Sequence, residues 1–357
     1  MAVSLELSDF GRLPDGTAVE LFTVRNSDDV SVSVSSWGGI VTSVRTPDRS
    51  GVVGEITLAH NTLEEYLAGH PYYGALVGRV CNRITDGGFE LNGRRYDLPL
   101  NHQGTIHLHG GIRGFDRRIY HAEPLQDEDS AGVRLSRVSP DGEEGYPGNL
   151  SVTHTVTLTR DNRLLFDFQA ETDAPTVVNL TNHTYWNLSG ESTILDHELH
   201  LNAQAVAEAD QRAVPTGKLL PVADGPFDFA QWRAIRPGFE QLQAAGVNGF
   251  DHSLLVAGSL DDTGRELREL REAARVRAPA SGRMMVVRTT YPAVHLYTGN
   301  NLAGELSRSG EHLKGQEALC LECQMFPDAP HRPEFPSIVL EPGRLYHHTT
   351  EHRFSVF

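Results

Sequence analysis

Apolar and polar residues alternate with a period of two through much of this chain, most regularly in Leu150-Ser-Val-Thr-His-Thr-Val-Thr-Leu-Thr159. Side chains two apart share one face of a strand, so the pattern predicts half-buried strands. Segments of this kind or of continuous β-rich character lie at residues 18–24, 30–36, 150–159, 164–171, 198–201, 284–290 and 294–297. Turn signals separate them, including Pro14-Asp-Gly16, Asp86-Gly-Gly88, Asn92-Gly93, Pro140-Asp-Gly142 and Asp161-Asn162, as in a mostly antiparallel β protein. Helices are expected to be few and short: at 63–67, at 230–245 interrupted by Pro237 and Gly238, and at 265–277, which is dense in Leu, Glu, Arg and Ala. No repeat, low-complexity tract or flexible linker divides the sequence, and one domain over residues 1–357 is expected.

One segment departs from a plain core pattern. Asn179-Leu-Thr-Asn-His-Thr-Tyr-Trp-Asn-Leu188 concentrates amides, hydroxyls, a histidine and two aromatics. At the strand period, His183 shares a face with Asn179, Thr181, Tyr185 and Asn187, a set of groups suited to a polyhydroxylated ligand. Its three Asn-x-Ser/Thr triplets, starting at Asn179, Asn182 and Asn187, are also glycan acceptor patterns. The first residues, Met-Ala-Val-Ser-Leu-Glu-Leu-Ser-Asp, lack a basic start and a long apolar run, so secretion is not expected and the triplets are expected to be bare.

Composition narrows the classes. An apolar fraction of 39% and a charged fraction of 22% suit a soluble globular chain, and no stretch has the ~20 apolar residues of a membrane helix. The formal net charge of −16 repels phosphate backbones and anionic membranes, so neither nucleic acid nor membrane is an expected partner. Cys81, Cys320 and Cys323 are an odd set without framework spacing, which predicts reduced thiols in a cytoplasmic compartment. Cys320 and Cys323 form a C-x-x-C, but in a strand they face opposite sides, which argues against a shared metal or redox site.

Four further clusters carry candidate chemistry. Gly78-Arg-Val-Cys-Asn-Arg-Ile84 presents Asn82 and Arg83, the latter a fixed fork of donors. Ile106-His-Leu-His-Gly-Gly111 sets His107 and His109 on one strand face. The H-x-H spacing also occurs in metal sites, yet Asp116 lies seven residues on from His109 across a glycine-rich turn, and no metal is expected. Gly249-Phe-Asp-His-Ser253 places Asp251 beside a histidine, and Cys320-Leu-Glu-Cys-Gln324 holds Glu322 in mid-strand. A carboxylate there is costly to bury unless paired or tuned for proton transfer. Neither a nucleophile elbow, a phosphate loop nor a dinucleotide fingerprint is present, so acid and base groups around a neutral polar substrate remain.

At these residues the chain resembles the aldose 1-epimerases. The likeness extends over Phe10 to Gly16, Trp37 to Gly39, Thr46 to Arg49, Gly78 to Ile84, Leu108 to Asp116, Val138 to Asn149, Asn179 to Leu188, Gly249 to His252, Tyr297 to Asn300 and Leu321 to Pro336. It implies an all-β β-supersandwich, mostly antiparallel with few short helices, that interconverts the α and β anomers of free aldoses without cofactor or metal. By the same likeness Glu322 is the base that takes the anomeric hydroxyl proton and His183 the acid that protonates the ring oxygen, on opposite sides of one sugar. His109 stabilises the ring oxygen; Asn82, Arg83, Tyr185 and Asp251 bind the sugar, with Thr184 adjacent. His295 stands where Gln or an aromatic is common, Cys323 where Thr is frequent and His331 where Asn is common, so a sugar contact from His295 is a departure from the pattern. A monomer or homodimer in hexose and galactose metabolism is implied. Two alternatives keep the fold: a non-catalytic sugar-binding module, and an epimerase of hexose 6-phosphates or an uncommon sugar.

Overall fold

The computed structural model describes residues 3–261 and 263–357 and is built from three large sheets. The first joins Ser4–Arg12, Ala18–Arg25, Ser31–Ser35, Val41–Pro47 and Val53–Glu55 in chain order. The second runs His121–Gln126, Ser130–Ser139, Leu150–Thr159, Arg163–Thr172, Tyr346–Val356, Arg283–Thr289, Arg271–Ala278, Glu198–Leu201, Arg233–Ala234. The third runs Pro215–Pro221, Ala203–Ala209, Asp251–Val256, Ala293–Tyr297, Cys320–Gln324. Their ladders are antiparallel throughout, and one hydrophobic cluster draws Val32 and Val34, Leu158 and Phe166, and Leu254 and Leu296 from the three in turn. The fold is the all-β arrangement that the period-two pattern predicts.

Two of the three expected helices form. Leu63–Ala68 opens on a capping box of Thr62 and Glu65, which satisfies orphan N–H groups at both ends of the reciprocal pair. Ile235–Ala244 contains Pro237 and Gly238 without breaking, because Pro237 stands in the first turn, where its missing N–H has no intrahelical partner to lose. Gly238 allows the helix to pack closely, since a Cβ there would meet Pro226 O at 2.5 Å. The helix expected at 265–277 is corrected: Arg271–Ala278 is a strand between Arg283–Thr289 and Glu198–Leu201. Ala274, Val276 and Ala278 are buried while Arg275 and Arg277 reach outward to Glu272 and Glu198, so pairing on both edges overrides helix propensity.

The 179–188 segment is also not one strand. It threads between other elements as two-residue pairings, Thr181–Asn182 with Leu76–Val77 and Tyr185–Trp186 with Thr57–Leu58, plus a bridge from Asn179 to Val80. Several of its polar side chains hold neighbouring backbone rather than facing a ligand. Asn179 accepts from the Met325 N–H at 3.0 Å and donates to the Met325 carbonyl at 3.2 Å; Thr181 donates to the Cys323 carbonyl, Asn182 to that of Gly74, and Asn187 to those of Glu191 and Glu317. Irregular backbone in a core must find partners, and these side chains supply them. The engaged amides leave the three triplets closed to glycan addition in the folded chain.

Replacing Asn179 by Ala strands both polar groups of Met325, each worth about 1–3 kcal/mol when left unpaired. Chemical unfolding is expected to register a loss of about 2–4 kcal/mol for N179A; a loss below about 0.5 kcal/mol contradicts the assignment, since that is the size of an ordinary surface substitution.

Candidate active site

Three neighbouring strands of the third sheet bring the acidic groups together. Antiparallel register sets Ser253 opposite His295 and His295 opposite Glu322, so the three side chains rise from one face in a row. Asp251, two residues before Ser253 on the same strand, shares that face.

The facing wall comes from the end of a short ladder. Arg83–Thr85 pairs with Ile106–Leu108, and the residues just beyond it, Asn82 and His109, both take left-handed backbone at φ of 60° and 51°. Tyr72 does the same at 63°. Such conformations are costly for non-glycine residues and collect where geometry serves a site. The turn explains why His107 and His109 part company, contrary to the one-face expectation. His107 remains in the strand, buried against the Pro99 carbonyl and the Tyr146 hydroxyl, while His109 swings into the cavity.

His183 completes the arrangement between the two short pairings of its segment, its backbone tied to Ala75 and Gly74. Its ring stacks on Tyr72 with centroids 5.8 Å apart and lies 5.1 Å from that of His109. His183 Nε2 stands 3.7 Å from Glu322 Oε1, beyond a hydrogen bond and with both side chains buried. His183 Nδ1 faces Cys320 Sγ at 3.6 Å.

Asn82, Arg83, His109, His183, Asp251, His295 and Glu322 line a cavity of about 170 Å³ together with Pro71, Tyr72, His102, Leu108, Tyr297 and Asn301. Of the expected site residues, Asn82, Arg83, His109, His183, Tyr185, Asp251, His295 and Glu322 meet there. Thr184 does not: its hydroxyl is turned to Asn182 Oδ1 and it is absent from the lining, because alternation sends Asn182 and Thr184 to the side opposite His183 and Tyr185. His331 is held by Asp328 at 2.8 Å, outside this lining. Cys323 and Cys320 are both buried, free and on opposite sides of their strand. The pattern passes over Tyr72, whose signal is an aromatic pair ahead of a glycine in Pro71-Tyr-Tyr-Gly74, and over Tyr297, which stands inside a recognised motif without being singled out.

Charge is distributed unequally. Arg83 donates from Nη2 to Asp251 Oδ2 at 2.9 Å and from Nη1 to Asn82 Oδ1 at 3.1 Å. Burial alone raises the Asp251 carboxyl, but the Arg83 guanidinium and the His295 hydrogen bond outweigh it and hold the group well below the usual carboxylate range. Glu322 has no such partner, and burial, with the Asp251 charge added and Arg83 opposing, pushes it up to about 8. Burial brings His183 down to about 4, and burial together with the charges of His183 and Arg83 keeps His109 neutral. Glu322 Oε2 and Arg83 Nε are buried with no hydrogen-bond partner, so both keep hydrogen-bonding capacity that the protein leaves unused.

His109, His183 and Glu322 bring potential ligand atoms within 4.8 Å of one another, the residue types of a catalytic zinc site. The tautomer of His109 opposes that use. The backbone N–H of Asn82 donates to His109 Nδ1 at 3.2 Å, so the neutral ring carries its proton on Nε2, where a metal would need a lone pair. What His109 presents is an N–H donor suited to an oxygen of a ligand.

The aldose 1-epimerase family model matches residues 20–353. Galactose mutarotase of Rattus norvegicus is 43% identical over 99% of both chains, and aldose 1-epimerase of Escherichia coli K12 is 34% identical over 96% of both. Among solved structures, galactose 1-epimerase from Lactobacillus acidophilus superimposes over 99% of both chains with a TM-score of 0.85 at 25% identity. With the matched residues running through all three sheets and every group of the cavity, the chain belongs to the aldose 1-epimerase family.

Proposed function

We propose that this chain, an isomerase by its family, interconverts the α and β anomers of free aldohexoses, galactose and glucose foremost, by general acid and base catalysis. The observation that carries the reading is the His183–Glu322 pair, 3.7 Å apart in a cavity ringed by hydroxyl-binding groups. Ring opening requires a proton to leave the anomeric oxygen while another reaches the ring oxygen, and both oxygens are bonded to the same carbon. Acid and base must therefore be close neighbours rather than across the sugar, and a separation of this size serves both atoms of one substrate.

In this mechanism Glu322 removes the anomeric hydroxyl proton as His183 delivers one to the ring oxygen. The C1–O5 bond breaks, the aldehyde forms, the C1–C2 bond rotates, and closure on the other carbonyl face returns both protons to their donors. His109 Nε2–H hydrogen-bonds the ring oxygen. Asn82, Arg83 and Asp251 receive hydroxyls, and Tyr72 and Tyr185 supply faces for the apolar C–H side. The pair holds one proton in total, on Glu322 in the empty cavity and on His183 when the cyclic sugar awaits opening, two tautomers of a single ionisation state.

Two alternatives are less well supported. A hexose 6-phosphate needs free cationic groups, whereas Arg83 is engaged by Asp251 and Glu322 adds a second acid. A binding module has no use for an unpaired carboxylate facing an imidazole. The common hydrophobic cluster of the three sheets supports one domain over the chain. No helix of the described residues is long and apolar enough to cross a membrane, and three free buried thiols favour a reducing, cytoplasmic location.

Polarimetry on freshly dissolved α-D-galactose and α-D-glucose is expected to register faster mutarotation with protein present; no acceleration for either sugar, or for xylose, arabinose or fucose, overturns the proposal. In the same assay Glu322→Gln and His183→Asn are each expected to lower kcat by about 10²- to 10⁴-fold, the usual contribution of one proton-transfer group, with KM nearly constant. Loss of affinity at preserved kcat would instead assign these residues to binding.

The pH dependence follows from the one-proton pair. Below about 4 His183 becomes protonated while Glu322 keeps its proton, leaving no base. Above about 8 Glu322 is ionised while His183 is neutral, leaving no acid. The profile of kcat/KM, which reports the free enzyme, is expected to be a broad bell between those limits. A profile flat past pH 9 sinks the assignment.

A further inference from the structure

Ser253, His295 and Asp251 form a hydrogen-bonded string: Ser253 Oγ lies 2.8 Å from His295 Nδ1, and His295 Nε2 lies 2.7 Å from Asp251 Oδ1. These are the residue types of a hydrolytic triad, but access is reversed. Ser253 is buried and outside the cavity lining, whereas Asp251 lines it. A nucleophile must reach its substrate, so this string does not serve acyl transfer, and its working end is the carboxylate.

The protonation logic is closed at both ends. An ionised carboxylate only accepts, so His295 must carry hydrogen on Nε2. A serine hydroxyl both donates and accepts, so Ser253 satisfies Nδ1 whether the ring is neutral or charged. Both nitrogens are thereby engaged within the protein, and His295 keeps no polar atom for a ligand although its ring borders the cavity. The expected sugar contact from His295 gives way to a different role.

We propose that His295, anchored by Ser253, is a positioning residue that fixes the Asp251 carboxylate as an acceptor for sugar hydroxyls. Arg83 binds Oδ2 at 2.9 Å and Oδ1 at 3.4 Å, and His295 binds Oδ1 at 2.7 Å. A carboxylate has about four lone-pair sites, so these three donors leave one free on a residue that lines the cavity. Without His295, Arg83 still neutralises the charge, but Oδ1 loses its short bond and the carboxylate can turn about the guanidinium. The consequence falls on sugar affinity rather than on proton transfer, which belongs to His183 and Glu322.

This inference rests on the mutarotase reading, and its test separates the two. Steady-state polarimetry would compare wild type, His295→Gln, His295→Phe and Ser253→Ala on D-galactose and its 2-, 3- and 4-deoxy analogues. His295→Gln keeps an N–H donor and is expected to stay within about 3-fold of wild type, while His295→Phe is expected to raise KM by about 10- to 100-fold, the range of a charge-assisted hydrogen bond, with kcat nearly unchanged. Ser253→Ala should raise KM several-fold, and it carries the test alone if His295→Phe does not fold. On the one analogue that lacks the hydroxyl accepted by Asp251, wild type and variants should converge. Unchanged KM, a fall in kcat alone, or an equal KM increase on every sugar overturns the positioning role. If wild type accelerates no sugar, the mutarotase reading fails instead, and galactose binding by calorimetry on the same variants still tests the string.

Discussion

A buried carboxylate, Glu322, and a partly buried one, Asp251, stand near one guanidinium in this cavity, and the placing of that single positive charge governs the chemistry of the site. Arg83 sits against Asp251, and His295 adds a second donor to the same carboxylate. Asp251 is accordingly anionic at any physiological pH, while Glu322, in the same row of strands but without a cation, is raised by burial and by its anionic neighbour. Environments that push two like groups apart in this way separate a binding carboxylate from a proton-transferring one. Were Arg83 centred between the two, neither would be basic enough to take a hydroxyl proton.

The partition depends on backbone order more than on any one contact. Asp251, His295 and Glu322 hold their separations because they stand on three hydrogen-bonded strands in fixed register, and a slip of one residue would turn each to the opposite face. The opposing wall has only a two-stranded ladder to rely on. Its members, Tyr72, Asn82 and His109, reach the cavity through left-handed residues held in place by contacts such as the Asn82 N–H to His109 Nδ1. A rigid floor thus carries the two carboxyl groups, the short ladder carries Arg83, and left-handed turns carry Tyr72, Asn82 and His109.

That division also decides what the sequence makes legible. Strand-borne features read well: the β class, the paired strand at 150–159, and Glu322 as an anomalous carboxylate in an apolar strand all follow from a period of two. The 179–188 segment misleads for the same reason, since alternation assigns Asn179, Thr181 and Asn187 to a ligand face, whereas short pairings and bends turn their side chains to backbone. Tyr72 falls outside the pattern because its placement is set by a left-handed turn residue whose dihedrals leave little trace in residue order, whereas Thr184 lies away from the cavity on the side that alternation assigns it. His183 and His109 were recognisable by family likeness, but the tautomer that makes His109 a donor rests on a contact with Asn82, 27 positions away, and alternation carries no record of it.

The Ser253–His295–Asp251 string extends the point from placement to chemistry. Residue types alone would support a nucleophilic serine, a metal-binding histidine or a sugar-binding aspartate at these positions. The choice between them is made by which end of the string meets the cavity: Asp251 and Ser253 share a face of one strand, but Asp251 lines the cavity while Ser253 is buried opposite His295. A sheet that presented Ser253 at the mouth would expose a hydroxyl activated by an imidazole. Here the hydroxyl is the buried anchor and the carboxylate is the exposed end, so the same three groups favour holding a polyol over attacking an acyl group.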